Sequence, residues 1–202
     1  LNPYNFTINI KTENPQILFH GRNFEIKNIQ TNIALKSLIG EQFSIDDLQI
    51  TTKEIKLNDI IVLARAFQNS PQLFVLDTII KDGLVTANIN LNFDESGKIK
   101  ENYKIEGFVK KAKVDILNQF KLQNLNFSFN FNKNIYSLKK IDMKINDIDI
   151  TSPLIEITKK KNSFFVNGKF INNKKNFDIE EFNLIFANLF KDKDIQNKLD
   201  KK

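Results

Sequence analysis

The chain has 202 residues, 27% of them charged and 41% hydrophobic, with a net charge of +6, 19 Phe, one His and no Cys or Trp. That length suits one domain that removes roughly 70% of its unfolded surface from water. Without cysteine there is no disulfide framework and no thiolate metal site, and with His20 as the sole imidazole neither a His-containing metal cluster nor a Ser-His relay has a second to draw on.

Side chains alternate across a strand, so Tyr4, Phe6, Ile8 and Ile10 predict a first strand with one apolar face. Gly21-Arg22-Asn23 predicts a turn, with His20 a turn or strand-end residue. Phe24-Glu-Ile-Lys-Asn-Ile29 and Phe43-Ser-Ile-Asp-Asp-Leu48 then share a template: aromatic, polar, aliphatic, two polar residues, apolar again. It returns at Phe120-Lys-Leu-Gln-Asn-Leu125, Tyr136-Ser-Leu-Lys-Lys-Ile141 and Phe177-Asp-Ile-Glu-Glu-Phe182. The two-residue polar insert shifts the parity, and either a β-bulge or a tight two-residue connection there keeps all three apolar positions on one face.

Residues 58–69 break this pattern. Ile60, Leu63, Ala64 and Phe67 follow helical spacing, with Asn58 as the expected N-cap and Pro71 just past the end. This is the one helix expected, and its Ile60, Leu63 and Phe67 face is expected to plug one end of the apolar sheet. Val85, Ala87, Ile89, Leu91 and Phe93 resume the alternation. Asp94-Glu-Ser-Gly97 is the clearest hairpin signal, because glycine supplies the positive φ such a loop needs. Leu125, Phe127, Phe129 and Phe131 then pave one face of a strand, with Asn126, Ser128 and Asn130 on the other. Ile141, Met143 and Ile145 give another strand, and turns are expected at 132–134, 160–162 and 172–176. The charged stretch 191–202 reads as a tail or linker, leaving 1–190 as a single domain.

About ten strands at roughly 4.8 Å spacing make a sheet roughly 50 Å wide. One helix of about 18 Å covers about two of them. The remaining apolar face must be covered by the sheet folding on itself, by another chain or by an apolar ligand. A closed β-sandwich, serving as a scaffold or protein-interaction module, is one outcome. Long strands and a total of only 6 Gly favour the other: a mainly β fold in which a long antiparallel, strongly curved sheet forms an open apolar groove, a half-pipe, with one short α-helix. The expected lining is Val85, Ile89, Leu91, Phe93, Leu125, Phe127, Phe129, Phe131, Ile141, Met143 and Ile145.

The tandem Phe-x-Ile-x-x-Ile strand ends, Phe43-Ser-Ile-Asp-Asp-Leu-Gln-Ile50 leading into the helix, and Gly83-Leu-Val-Thr-Ala-Asn-Ile-Asn-Leu-Asn-Phe93 resemble the AsmA-like superfamily, to which TamB and YhdP also belong. The resemblance is carried by hydrophobic spacing over most of the chain. It implies an elongated β-groove in the Gram-negative envelope, in the periplasm and tethered to the inner membrane, that handles phospholipid moving toward the outer membrane and serves outer-membrane biogenesis. It implies no catalytic residues. The chain departs from the family in showing no membrane anchor and no recognisable end domain. It begins at Leu1 and is read as a piece of something longer, with any targeting segment outside it. Its longest apolar runs, Ile60 to Ala64 and Leu73 to Leu76, are far short of the roughly 20 residues that span a bilayer.

The residues themselves suggest no enzyme. Asp46-Asp47, Asp147 with Asp149, and Glu180-Glu181 are carboxylate pairs of the kind common on solvated strands, nothing orients them toward each other, and there is no Gly-rich phosphate loop. No cofactor and no metal are expected. Lysines cluster in short runs such as Lys110-Lys111, Lys159-Lys160-Lys161 and Lys174-Lys175, and arginine is confined to Arg22 and Arg65. The basic charge therefore reads as solvated strand faces, with no nucleic acid as partner. The expected partner is phospholipid or another acyl-chain lipid, which asks for a continuous apolar channel and few polar contacts.

Overall fold

The computed structural model describes residues 7–19, 21–34, 45–67, 71–94, 96–116, 120–145, 148–160 and 163–172. His20, Tyr4, Phe6, Phe43, the template copy at 177–182 and the stretch 191–202 lie outside the described residues. The chain divides into two compact units, Leu1–Ile171 and Asn172–Lys202, and every element below belongs to the first.

Among the described residues, eleven antiparallel strands form one sheet. They are β1 (Thr7–Glu13), β2 (Gln16–Phe19), β3 (Arg22–Ala34), β4 (Ile45–Thr52), β5 (Ile55–Lys56), β6 (Ile80–Asn92), β7 (Lys104–Ile116), β8 (Phe120–Phe131), β9 (Ile135–Ile145), β10 (Ile148–Lys160) and β11 (Ser163–Gly168). The order is β1-β3-β4-β6-β7-β8-β9-β10-β11, with β2 also on β3 and β5 on β6, so the sheet is not closed and ends in two edges. From β6 onward it is a meander, as expected where alternating runs are joined by short polar turns. Gly97 takes the positive φ expected of it in the β6–β7 connection, and Gly21 takes one too in the turn between β2 and β3.

The two-residue insert of the template is a β-bulge in each described copy. Ile26 pairs with Thr52 but Asn28 pairs with Thr51, so Lys27 is the extra residue of β3. Asn32 and Ile33 face Asp47 and Ile45, which leaves Asp46 extra in β4. Leu122 and Leu125 of β8 face Val114 and Ala112, with Asn124 at φ 51°. Lys139 and Asp142 of β9 face Ser128 and Asn126, with Lys140 at φ 52°. Each insert adds one residue and bends its strand, so the apolar positions on either side stay on the same face. Two further bulges escaped the template: Lys111 in β7, at φ 50°, and Lys81 in β6, between the pairs Ile80–Val114 and Asp82–Lys113; Gly83 lies opposite the β7 bulge, where a methyl group would lie 2.9 Å from Ala112 Cα. In β10 the neighbour facing Lys140 is Pro153, between the pairs Ser152–Ile141 and Leu154–Lys139, a place where a missing N–H is tolerated.

The described residues contain two helices, α1 (Leu57–Phe67) and α2 (Pro71–Ile79), where the sequence suggested one. Pro71, read as the stop of the first helix, is also the first residue of the second, since its missing N–H has no helical partner at that position anyway. The first helix starts one residue earlier than expected, and Asn58 donates its side-chain amide to the Ile80 carbonyl at 3.1 Å. Ion pairs Arg22–Asp59 and Arg65–Asp77 tie α1 to the start of β3 and to α2.

Two cores meet under α1. Phe24, Ile26 and Ile55 form one, Val85, Val109, Ala112 and Phe129 the other, and Ile60 packs against both. Leu57 joins the second, and Ile61 is buried. The side chains of Leu63 and Phe67, the rest of the expected plug face, lie outside the described residues.

Candidate functional site

Residues directly opposite in an antiparallel sheet project from the same face. One register line can be followed through nine strands: Thr12, Ile29, Ile50, Ile89, Ile105, Phe131, Tyr136, Ile157 and Val166. The adjacent line, which projects from the other face, is Glu13, Asn28, Thr51, Asn88, Glu106, Asn130, Ser137, Glu156 and Asn167. One face thus carries an almost unbroken apolar row from edge to edge, and the other a wholly polar one. Eight steps at roughly 4.8 Å make each row about 38 Å long.

Phe127, Phe129 and Phe131 stand on the apolar face, facing Val109, Gly107 and Ile105, while Asn130 faces Glu106 and Ser128 faces Phe108. The rings of Phe129 and Phe131 stack at 4.9 Å, Phe127 is tilted against Phe129 at 6.4 Å, and Tyr136 meets Phe131 edge-on at 5.5 Å. The expected lining divides in two. Val85, Phe129, Ile141, Met143 and Ile145 are buried at 4–8% exposure and act as core. Ile89, Leu91, Phe93, Leu125, Phe127 and Phe131 are half-buried, and only these keep surface for anything beyond the unit itself. Ile29, Ile50, Ile105, Tyr136 and Ile157 belong to the same half-buried set; they became visible only once the strands were placed side by side.

The polar face carries the charge. Among its ion pairs are Lys104–Glu106 within β7, Lys110 with Glu54 of the β4–β5 turn, and the cross-strand Lys113–Asp82 and Lys144–Asp149. The backbone N–H of Gly83, then Lys113, holds the Asp82 carboxyl below its usual range. Lys11 does the same for Glu13. Asp94 is held low by the Ser96 hydroxyl and the Lys98 N–H in the β6–β7 connection. Burial pushes Tyr103 up. These are local surface contacts, and among the described residues no three His, Asp or Glu side chains gather as they would for a metal. Of the expected carboxylate pairs, Asp47 accepts the Asn32 N–H at 3.1 Å and Asp149 pairs with Lys144 at 3.4 Å. No helix among the described residues is long and apolar enough to cross a membrane.

No family model, curated protein or solved structure matches the chain.

Proposed function

We propose that the apolar face holds acyl chains, and that the chain is a non-enzymatic lipid-handling segment. The observation that carries this reading is the half-buried row Ile29, Ile50, Ile89, Ile105, Phe131, Tyr136 and Ile157 on a sheet that does not close. At about 38 Å the full row exceeds one leaflet's share, roughly 15 Å, of a 30 Å hydrocarbon core. Each CH₂ laid on such a face gains up to about 0.8 kcal/mol. With the resemblance to the AsmA-like superfamily, the reading extends to an open β-groove passing phospholipid between the membranes of a Gram-negative envelope, in the periplasm and tethered to the inner membrane.

Native mass spectrometry of gently purified protein tests it. Bound phospholipid is expected on the wild type, and Ile89→Asp, which sets a carboxylate midway along the row, should stay folded and lose that lipid. A clean lipid-free spectrum from repeated mild preparations sinks the reading. A second reading, a protein-interaction scaffold, draws on the deep burial of Ile141, Met143, Ile145, Ile148 and Ile150, which gives the β9–β10 part of the face the character of an ordinary core.

A further inference from the structure

The edge strand β11 and the β10 residues beside it expose apolar side chains to an unusual degree. Phe165 is 55% and Val166 68% exposed, with Leu154 and Phe170 exposed nearby. Residues 154–169 contain Lys159, Lys160, Lys161 and Lys169 against a single acid, Glu156. The Lys160 ammonium sits 5.2 Å from the centre of the Phe165 ring.

Lys104, Lys110, Lys113, Lys133 and Lys144 each have a carboxylate partner. Lys159, Lys160 and Lys169 have none among the described residues. Lysines without a carboxylate partner among the described residues also occur elsewhere, as at Lys56, Lys111, Lys139 and Lys140, but here they lie beside strongly exposed apolar side chains. Another exposed apolar cluster, Phe74, Val75 and Leu76 on α2, has Arg65 over the Phe74 ring, but that guanidinium is already bonded to Asp77.

We infer that the β10–β11 hairpin is a docking surface for an anionic lipid bilayer. Exposed aromatic and aliphatic side chains flanked by lysines that have no carboxylate partner among the described residues match both layers of such a surface, the acyl boundary and the charged headgroups. Docking is shallow. The outer backbone edge of β11 has no strand partner among the described residues, and an open edge is excluded from hydrocarbon but satisfied among hydrated headgroups. Phe165 and Val166, on opposite faces of β11, straddle that edge as two apolar anchors. The inference is independent of acyl chains lying on the sheet, because it concerns the intact bilayer.

Flotation of the full chain with phosphatidylcholine vesicles, with and without one third phosphatidylglycerol, tests it. The wild type should float with the anionic vesicles and much less with the neutral ones. K159Q/K160Q should weaken partitioning about 25-fold, from roughly a fivefold contribution per lysine. F165S/V166S should abolish flotation, and F165L/V166L should restore it; unchanged far-UV spectra show that the variants fold, and if the serine pair does not, the lysine pair decides alone. Wild-type flotation that ignores lipid charge, or equal flotation of K159Q/K160Q, overturns the inference. Lipid bound in the mass spectrum without flotation refutes docking and spares the acyl-chain reading, whereas flotation with a lipid-free spectrum does the reverse.

Discussion

Gly107 and Phe129 face each other across β7 and β8, and the Phe129 ring fills the place that a side chain on Gly107 would take. A methyl group there would lie 2.7 Å from Phe129 Cζ and 2.0 Å from the Thr86 carbonyl oxygen. The ring covers backbone that glycine leaves bare, as aromatic side chains do over strand glycines. Gly107→Ala should therefore destabilise by about 1–3 kcal/mol through overpacking. Phe129→Ala should cost about 3–5 kcal/mol. Urea midpoints decide; an unchanged Gly107→Ala midpoint would mean that the strands separate here at no cost.

Lys140 is a non-glycine residue in the left-handed region, where an L side chain costs roughly 1–2 kcal/mol. Glycine relieves that cost but adds about 0.5–1 kcal/mol of unfolded-chain entropy. Lys140→Gly is thus expected within about 1 kcal/mol of the wild type. Deleting Lys140 is different: it turns either Tyr136 and Leu138 or Ile141, Met143 and Ile145 to the polar face, and a soluble folded deletion variant would refute the bulge as keeper of sidedness.

Around α1, burial should outweigh charge. Ile61, at 5% exposure, should cost about 2–5 kcal/mol on replacement by Ala. Asp59→Asn breaks the partly exposed pair with Arg22 and should cost no more than about 1 kcal/mol. The reverse ranking in thermal melts would show that ion pairs and not packing hold the helix to the sheet.

Asp94 accepts from the Ser96 hydroxyl at 2.7 Å, the Ser96 N–H at 2.9 Å and the Lys98 N–H at 3.0 Å. These contacts favour the carboxylate, so it should titrate below the ordinary Asp value of 3.8. Its contribution to folding is present above the unfolded-state value and is lost as pH falls through the lower folded value. Carboxyl carbon NMR should show that low midpoint, and Ser96→Ala should move it up. A midpoint at or above 3.8 contradicts the turn geometry.

Alternation made the sidedness of β8 legible, because a period of two survives any curvature of the strand. The template also held its meaning: Lys27, Asp46, Asn124 and Lys140 mark bulges because two polar residues between apolar ones leave one of them unpaired. The bulges at Lys81 in β6 and Lys111 in β7 went unseen, since the Gly83 and Ala112 that follow them are too small to register as apolar landmarks. The second helix was missed because Pro71 ends one helix and opens another with the same chemistry. Which lining residues are core could not be read at all. Phe129 and Phe131 are alike in sequence, and only the strand alignment sets one over Gly107 and the other between Ile105 and Tyr136.

The position of Pro153 opposite Lys140 couples the histories of two strands. The extra residue of β9 is matched by one in β10, so ten residues of each strand remain in step with no slip between them. Losing either residue alone would set the strands against each other, while losing both would leave the ladder whole. Between β9 and β10 length can therefore change by one residue only in both strands together, and a lineage carrying this pair should show insertions and deletions here as linked events.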